Sequence, residues 1–143
     1  IVQVSREKVS LLQILEQIRR YMLQTLLPSA RRVTIHVGGE DVIVSADCAS
    51  SVALVVNELV QNALKYAFPS GQAGRIGIEL HSGRPLCQLT VWDNGVGFQA
   101  DRPRPGGAGL ELASTIVREK LTGEWSVESG PGGTRISFDF LEQ

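Results

Sequence analysis

Three polar side chains recur at helical spacing within an otherwise apolar stretch of the sequence. They are Glu58, Asn62 and Lys65, at positions i, i+4 and i+7. At about 3.6 residues per helical turn these side chains lie on one face, and the apolar residues of the stretch lie on the opposite face. A carboxylate and an amide oxygen suit Mg²⁺, and a lysine ammonium suits a phosphate oxygen. The spacing therefore predicts a helix with a site for a metal ion and a phosphate.

A second candidate site follows a predicted strand. Asp93 ends this strand, and Gly95 and Gly97 follow it closely. Glycines let the backbone approach a planar ligand, and a carboxylate held at a strand end can accept a hydrogen bond from an exocyclic amine such as N6 of adenine. An ordinary Asp-Asn-Gly turn explains the same three residues, and on these residues alone that explanation is preferred.

A third candidate site is the small-residue run at positions 106–109, which opens into a predicted helix. Backbone N–H groups at a helix N-terminus bind anions such as a polyphosphate. The preceding Arg102 and Arg104 add two cations to a loop that could close over phosphates, although a solvated surface loop explains them equally well. Neither the P-loop pattern nor the dinucleotide-binding glycine pattern is present, so a nucleotide site here has to be of another type.

Composition limits the class of protein. A chain of 143 residues with 43% hydrophobic residues is expected to form one domain, spanning residues 1–143. The net charge of −1 provides no long-range field that would recruit nucleic acid or a membrane surface. The apolar runs are too short to span a membrane and the first residues do not resemble a signal peptide, so we expect a cytoplasmic protein, although the full-length protein could be membrane-anchored.

Two further features of the sequence concern its cysteines and its first residue. Cys48 and Cys87 are too few and too widely separated for a disulfide framework or a zinc cluster, and we expect two buried free thiols. The chain begins at Ile1 rather than at a methionine. We therefore expect it to be a fragment of a longer protein.

Hydrophobic periodicity predicts the elements that position the candidate residues. Three helices are predicted, at residues 6–26 with Ser5 as cap, after Asp47 as cap, and at about 110–121. Strands are predicted in three hairpins, which pair 32–36 with 42–45, 75–81 with 86–93, and 124–129 with 134–140. This order predicts an α+β fold, a two-layer α/β sandwich with three main helices on one face of a mixed, mostly antiparallel sheet.

Taken together, these motifs resemble the GHKL superfamily, whose ATP-binding fold is shared by gyrase, the ninety-kilodalton heat-shock chaperone, histidine kinases and a mismatch-repair ATPase. Four motifs occur in the order of this family: residues 58–66 resemble its N box, Asp93-x-Gly95-x-Gly97 its first glycine box, Gly107-x-Gly109-Leu110 its second, and Gly133-Thr134 its closing strand. The best match within the superfamily is the catalytic and ATP-binding domain of sensor histidine kinases. The resemblance implies a Bergerat-type ATP-binding fold, with ATP and Mg²⁺ as cofactors.

The resemblance also implies a role for each matching residue. Asn62 would supply a side-chain oxygen to Mg²⁺, and Glu58 is a second candidate metal ligand. Asp93 would bind the adenine amine, and Thr134 would support adenine through its hydroxyl or a water. Glu58, Asn62 and Lys65 would be the catalytic residues. Residues 99–106 would form an ATP lid, and the remaining nucleotide contacts would come from Lys65, Tyr66, Gly95, Gly97, Gly107, Ala108, Gly109 and Leu110.

As a kinase domain, the chain would transfer the γ-phosphoryl group of ATP to a histidine on an adjacent dimerisation domain of the same protein, with a response regulator downstream. Such transfer requires positioned phosphates, a metal and an in-line acceptor. His36 and His81 lie in or at the end of predicted strands and are expected to be ordinary structural residues, so the acceptor is expected upstream of Ile1. We expect no nucleic acid partner and no direct membrane contact by this domain.

Glu58 leaves the reaction open. It stands where many histidine kinases have asparagine and where the hydrolytic members carry a carboxylate that activates water. A glutamate here can serve as a general base for water or for an acceptor imidazole. The alternatives are a hydrolytic GHKL ATPase, a serine kinase of the anti-sigma-factor type, and a catalytically silent nucleotide-binding interaction module.

Overall fold

The structure is a computed structural model that describes residues 7–25, 32–83, 85–98 and 108–141. The described part contains three α-helices, α1 (Leu11–Thr25), α2 (Ala46–Tyr66) and α3 (Ala108–Glu119), and a short 3₁₀ helix at Pro69–Gly71. Its strands are β1 (Lys8–Ser10), β2 (Val33–Gly39), β3 (Ile43–Ser45), β4 (Gly74–His81), β5 (Leu86–Asp93), β6 (Trp125–Gly130) and β7 (Gly133–Leu141). The predicted cap Ser5, the predicted lid at 99–106 and Gly107 lie outside the described residues.

Five of the strands form one sheet in the order β2-β4-β5-β7-β6, and β1 pairs with β3 in a separate two-stranded sheet. Within the larger sheet, β2 runs parallel to β4 and every other neighbouring pair is antiparallel. The parallel pair requires a long crossover, which α2 provides. The prediction of three main helices on a mixed, mostly antiparallel sheet is confirmed.

The core lies between the helices and one face of the sheet. Along β7, Ile136, Phe138 and Phe140 are buried, whereas the alternating polar residues are exposed at Arg135 and half-buried at Ser137 and Asp139. This strand therefore has one apolar and one polar face. The helices pack side by side, with α2 in contact with both α1 and α3. Because α2 is in the middle, ten of its 21 residues are buried, and Asn62 of the polar row is one of them.

The predicted hairpin between residues 32–36 and 42–45 is wrong. The first strand, β2, pairs with β4, with Ile35 opposite Ile76, and the second, β3, pairs with β1, with Val44 opposite Val9. The glycines predicted as the turn end β2 instead, and Gly39 has a φ of 111° that favours glycine. The alternating pattern identifies both strands but is the same for any pairing partner, so it does not determine the topology.

Helix α1 begins five residues later than predicted, at Leu11 rather than residue 6, because residues 8–10 form β1. Two acceptors satisfy the backbone N–H groups at its start. The hydroxyl of Ser10 accepts from the amide of Gln13 at 3.2 Å, and the carboxylate of Asp41 accepts from the amide of Leu12 at 3.0 Å. Asp41 is remote in the sequence, so this part of the cap is a tertiary contact that helical periodicity does not reveal.

The other two helices differ from the predictions at their starts. Ser45 caps α2, because its hydroxyl accepts from the amide of Cys48 at 3.1 Å, and the predicted cap Asp47 lies within the first helical turn. A carboxylate at this position still favours the helix through the dipole. Helix α3 begins at Ala108, two residues before the predicted start, so the glycine-rich segment already enters the helix there.

Candidate functional site

The polar row on α2 runs from the protein interior to solvent. Asn62 is buried, with 6% of its surface exposed, Glu58 is half-buried and Lys65 is exposed. On the opposite side of the helix Val56 and Val60 are fully buried, as the spacing predicts. The row therefore presents a sheltered amide, a partly sheltered carboxylate and a solvated cation along one face of one helix.

The buried amide of Asn62 lacks a hydrogen-bond partner for its nitrogen within the described residues. A buried polar group without a partner costs about 1–3 kcal/mol, so its retention inside a fold calls for a ligand or a network that compensates it. A half-turn of the amide exchanges its nitrogen and oxygen, so the same position can present an oxygen.

Asn62 and Glu58 offer the kind of oxygen donors that Mg²⁺ accepts. The described residues contain no group of three or more His, Cys, Asp or Glu side chains that could hold a metal ion. Mg²⁺ usually takes only one or two protein ligands and completes its shell with water and phosphate oxygens. Asn62, with Glu58 one helical turn away, supplies such a limited donor set.

Asp93 is held in position at the end of β5. The residue is 8% exposed, and its Oδ1 atom accepts a hydrogen bond from the amide of Gly95 at 2.9 Å. The next residue, Asn94, accepts from the amide of Arg75 through its own Oδ1 atom at 2.7 Å. These two hydrogen bonds fix the start of the turn and orient the Asp93 carboxylate, which is the requirement for selective recognition of a ligand amine.

The glycine turn after Asp93 is held between α2 and the hairpin of β6 and β7. The amide of Val96 donates to the carbonyl oxygen of Ala67 at 2.9 Å, and a Cβ atom on Gly95 would overlap the same carbonyl group. On the other side, Gly97 has a φ of 69°, and a Cβ atom on it would overlap the carbonyl oxygen of Gly130. Both glycines are thus required by close backbone approach.

Thr134 lies directly beside Asp93. The two residues are partners in the ladder of β5 and β7, and Thr134 is 4% exposed. The preceding Gly133 has a φ of 131° and lies against the backbone carbonyl of Asp93. The fold therefore brings the first glycine motif and the closing strand into direct contact, with Asp93 and Thr134 directly opposite each other on neighbouring strands.

The other predicted residues occupy the ends of helices. Tyr66 is the last residue of α2 and is half-buried. Ala108, Gly109 and Leu110 form the first turn of α3, where Leu110 is half-buried. Direct contacts thus join three parts of the predicted site: the residue after α2, the glycine turn and Thr134. Gly107 lies outside the described residues.

Sequence reasoning did not identify Ser129 as part of this region. The hydroxyl of Ser129 accepts from the amide of Phe98 at 2.8 Å and lies 2.8 Å from the hydroxyl of Thr134. The predicted hairpin of residues 124–129 with 134–140 already contained the signal, because it places Ser129 opposite Thr134 across the turn.

Two cavities flank this region. One, of about 430 Å³, lies at the end of the sheet and is lined by residues including Asp93, Glu128 and Thr134. The other, of about 330 Å³, lies between α3 and β6 and is lined by residues including Phe98 and Leu110. The α2 row lines neither of them, so these cavities adjoin the adenine side of the predicted site rather than its metal side.

The described helices are not membrane spans, since none of them combines the length and the hydropathy needed to cross a bilayer.

Three helices over a mixed sheet, with the N-box helix and the glycine turn meeting at one sheet end, define the class of ATP-binding domains found in histidine kinases. The family comparison agrees with this assignment: residues 48–143 match the model of the histidine kinase-, DNA gyrase B-, and HSP90-like ATPase family. The chain belongs to this family.

The curated proteins that are similar to this chain include sensor histidine kinases. The chain is 27% identical over 120 residues to the sensor histidine kinase PdtaS of Mycobacterium tuberculosis, a match that covers 82% of the chain and 24% of that protein. The chain thus spans about a quarter of the length of this relative.

Solved structures show the same fold. The histidine kinase domain of the blue-light-activated histidine kinase EL346 of Erythrobacter litoralis superposes with a TM-score of 0.83 at 23% identity, covering 98% of this chain and 69% of that one. Histidine kinase ThkA in its complex with the response regulator protein TrrA superposes with a TM-score of 0.76 at 18% identity, covering 96% of this chain and 42% of that one.

Proposed function

We propose that this chain binds Mg²⁺·ATP at the junction of α2, the glycine turn and β7, and that in the intact protein it transfers the γ-phosphoryl group to a histidine on an adjacent dimerisation domain. The observation that carries the proposal is the buried pair of Asp93 and Thr134, neighbours on adjoining strands at the sheet end where the glycine turn bonds to Ala67, the residue after α2. Membership of the ATPase family supports the same ligand.

The adenine end of the nucleotide is assigned to Asp93 and Thr134. Because the amide of Gly95 already binds one carboxylate oxygen of Asp93, the carboxylate has a defined direction and can accept from the N6 amine of adenine. Guanine carries a carbonyl oxygen at the corresponding position, and an oxygen facing a carboxylate is repelled. The site should therefore discriminate ATP from GTP.

The metal and phosphate end is assigned to the row on α2 and to the start of α3. Asn62 and Glu58 would hold Mg²⁺, whose charge would neutralise the phosphates and help to stabilise charge in the transition state. Lys65 is exposed and can reach a phosphate oxygen as a point charge. The first N–H groups of α3, from Ala108 onward, supply the partial positive charge of a helix N-terminus.

The phosphoacceptor is assigned to a part of the intact protein other than the described residues. His81 is exposed at the end of β4, with its Nε2 atom 3.8 Å from Glu79, and His36 is an exposed residue of β2 whose Nε2 atom lies 3.5 Å from the hydroxyl of Thr34. Both have surface strand positions that their local contacts explain. The relative PdtaS is a sensor histidine kinase of which this chain spans about a quarter, which supports an acceptor histidine elsewhere in the intact protein, and the ThkA complex supports a downstream response regulator.

Glu58 supports a second candidate function, ATP hydrolysis. Its carboxylate is half-buried one helical turn from Asn62 and forms no salt bridge with another described residue, so it can act as a general base. Phosphate release by the chain, abolished in Glu58→Gln, would favour hydrolysis. Transfer to an added acceptor domain without phosphate release would favour the kinase.

The proposal is tested by calorimetry with ATP, ADP and GTP, each with and without Mg²⁺. We expect ATP and ADP to bind, ATP more tightly with Mg²⁺ than without it, and GTP to bind at least about tenfold more weakly. Equal affinity for ATP and GTP would contradict the assignment of Asp93. Absence of ATP binding would contradict the proposed function as a whole.

A further inference from the structure

One hydroxyl connects the predicted adenine contact to the backbone that follows the glycine turn. Ser129 lies on β6 opposite Thr134 on β7, and their hydroxyl oxygens are 2.8 Å apart. The same Ser129 oxygen accepts from the amide of Phe98 at 2.8 Å. Ser129 is thus shared between two partners that belong to different motifs of the site.

The hydrogen-bonding capacity of a hydroxyl allows Ser129 to accept from the amide of Phe98 and to donate to Thr134 at the same time. Ser129 has one hydrogen to donate, and the amide of Phe98 occupies one of its acceptor positions. When Ser129 donates its hydrogen to Thr134, the hydrogen of Thr134 is released for another acceptor. Thr134 is buried beside Asp93, where a ligand group bound at this end of the sheet can accept that hydrogen.

The backbone around Phe98 is held against the same hairpin by a second contact. Gly97 has a positive φ and lies against the carbonyl group of Gly130, which directly follows Ser129. The position of Phe98 and the orientation of the Thr134 hydroxyl therefore depend on one short segment of β6.

We propose that Ser129 is a positioning residue that orients the hydroxyl of Thr134 toward adenine and ties it to the backbone amide of Phe98. The inference rests on the proposed function, because it takes adenine as the group that Thr134 contacts. In this role Ser129 acts through Thr134 rather than as a direct contact to the nucleotide.

The structural half of the proposal is tested without nucleotide. Amide hydrogen exchange at Phe98 is measured by NMR in the wild-type chain, in Ser129→Ala, in Ser129→Thr and in the control Ser126→Ala. Ser126 is an exposed residue of the same strand, opposite Ser137. We expect Ser129→Ala to speed exchange at Phe98 about three- to tenfold, and the other two variants to stay within about twofold of wild type. Unchanged exchange in Ser129→Ala would overturn this link.

The functional half is tested by calorimetry with ATP in a double-mutant cycle. Ser129→Ala should weaken ATP binding about three- to tenfold, Ser129→Thr should restore it to within about twofold, and Ser126→Ala should leave it unchanged. In a Thr134→Val background, Ser129→Ala should cause no more than about a twofold further loss, because its route to the nucleotide is already removed.

If Ser129→Ala reduces ATP affinity equally in the wild-type and the Thr134→Val chains, the coupling between the two residues is overturned. Two independent effects on stability would add in this way. If the wild-type chain binds ATP and Ser129→Ala binds it with the same affinity, this inference is overturned and the proposed function is not. A wild-type chain that binds no ATP would overturn the proposed function and this inference together.

Discussion

The amide of Val96 donates a hydrogen bond to the carbonyl oxygen of Ala67, across 2.9 Å. This bond joins the glycine turn after β5 to the residue that follows α2. The helix that carries the polar row and the glycine turn are therefore linked directly through their backbones. A change that separates the two backbones should therefore affect stability and ligand binding together.

Gly95→Ala should disrupt this contact, because an added Cβ atom would overlap both the carbonyl group and the side chain of Ala67. We expect the free energy of unfolding in urea to fall by about 1–3 kcal/mol and ATP binding to weaken with it. Gly132→Ala is the matched control, since no atom lies within 4 Å of its added Cβ and its stability should stay within about 0.5 kcal/mol of wild type. Equal stability of the two variants would contradict the role of the contact.

Asp93→Asn should weaken ATP binding by at least about tenfold without unfolding the chain. Asparagine keeps an oxygen that can accept from the amide of Gly95, but it loses the charge and replaces an acceptor with a donor. Calorimetry measures the affinity, and circular dichroism checks the fold. Asp139→Asn is the control, because Asp139 also accepts from a backbone amide, that of Glu124 at 2.7 Å, on β7. Wild-type affinity in Asp93→Asn would refute the assigned pocket.

Asn62→Ala should reduce the gain in ATP affinity that Mg²⁺ confers more than it reduces metal-free binding. Since the buried amide nitrogen has no partner among the described residues, the nucleotide-free variant should be no less stable than wild type. Asn57→Ala is the matched control on the same helix: its Oδ1 atom is also buried without a described partner, but it lies on a different helix face. Equal losses with and without Mg²⁺ would count against Asn62 as a metal ligand.

Asp41→Asn should lower stability at neutral pH and have little effect in acid. Burial opposes ionisation of Asp41, but hydrogen bonds from Ser10, Leu12 and Val42 outweigh it and hold the pKa of this carboxyl below its ordinary value of 3.8. A lowered pKa stabilises the folded state above the ordinary pKa, and this stabilisation disappears as the pH falls through the folded value. After allowance for solvent screening, we expect a difference of about 1 kcal/mol at pH 7.

Urea unfolding of the Asp41→Asn variant and the wild type, measured from about pH 7 down to about pH 2, follows this difference. The difference in the free energy of unfolding between the two proteins should stay constant down to about pH 5 and then decrease toward zero. A difference that persists unchanged at about pH 2 would show that the carboxylate charge is not the cause.

The two cysteines should react with a thiol reagent only when the chain unfolds. Burial raises the pKa of the Cys48 thiol, with a further contribution from Cys87, so little thiolate is present near neutral pH. Cys87 is itself fully buried. Titration with a chromogenic disulfide at about pH 8 should be slow in native buffer and complete in urea. Immediate reaction of both thiols in native buffer would contradict their burial.

Local patterns predicted the elements of the site well. The interval between Glu58, Asn62 and Lys65 predicted a helix whose other face is buried. This was possible because the helical period and the buried face both follow from the local spacing of polar and apolar residues. The final hairpin was likewise predicted, since its turn is short and its two strands adjoin in sequence. The roles of the site residues in binding stay predictions.

Pairing between distant segments was not predictable in the same way. The strand at β2 has the same alternation whether it pairs with β3 or with β4, and the start of α1 depends on Asp41 from another segment. Periodicity reports which face of a segment is buried, not which partner covers it.

The sequence by itself determined the α+β class, the polar row of α2 and the glycine turn, because these follow from side-chain type and local spacing. Only the tertiary structure decided that Asp93 and Thr134 are neighbours, that Val96 bonds to Ala67, and that Ser129 joins Thr134 to Phe98. The physical reason is that such contacts depend on strand register and on close backbone approach, which arise only when segments far apart in the chain pack against one another.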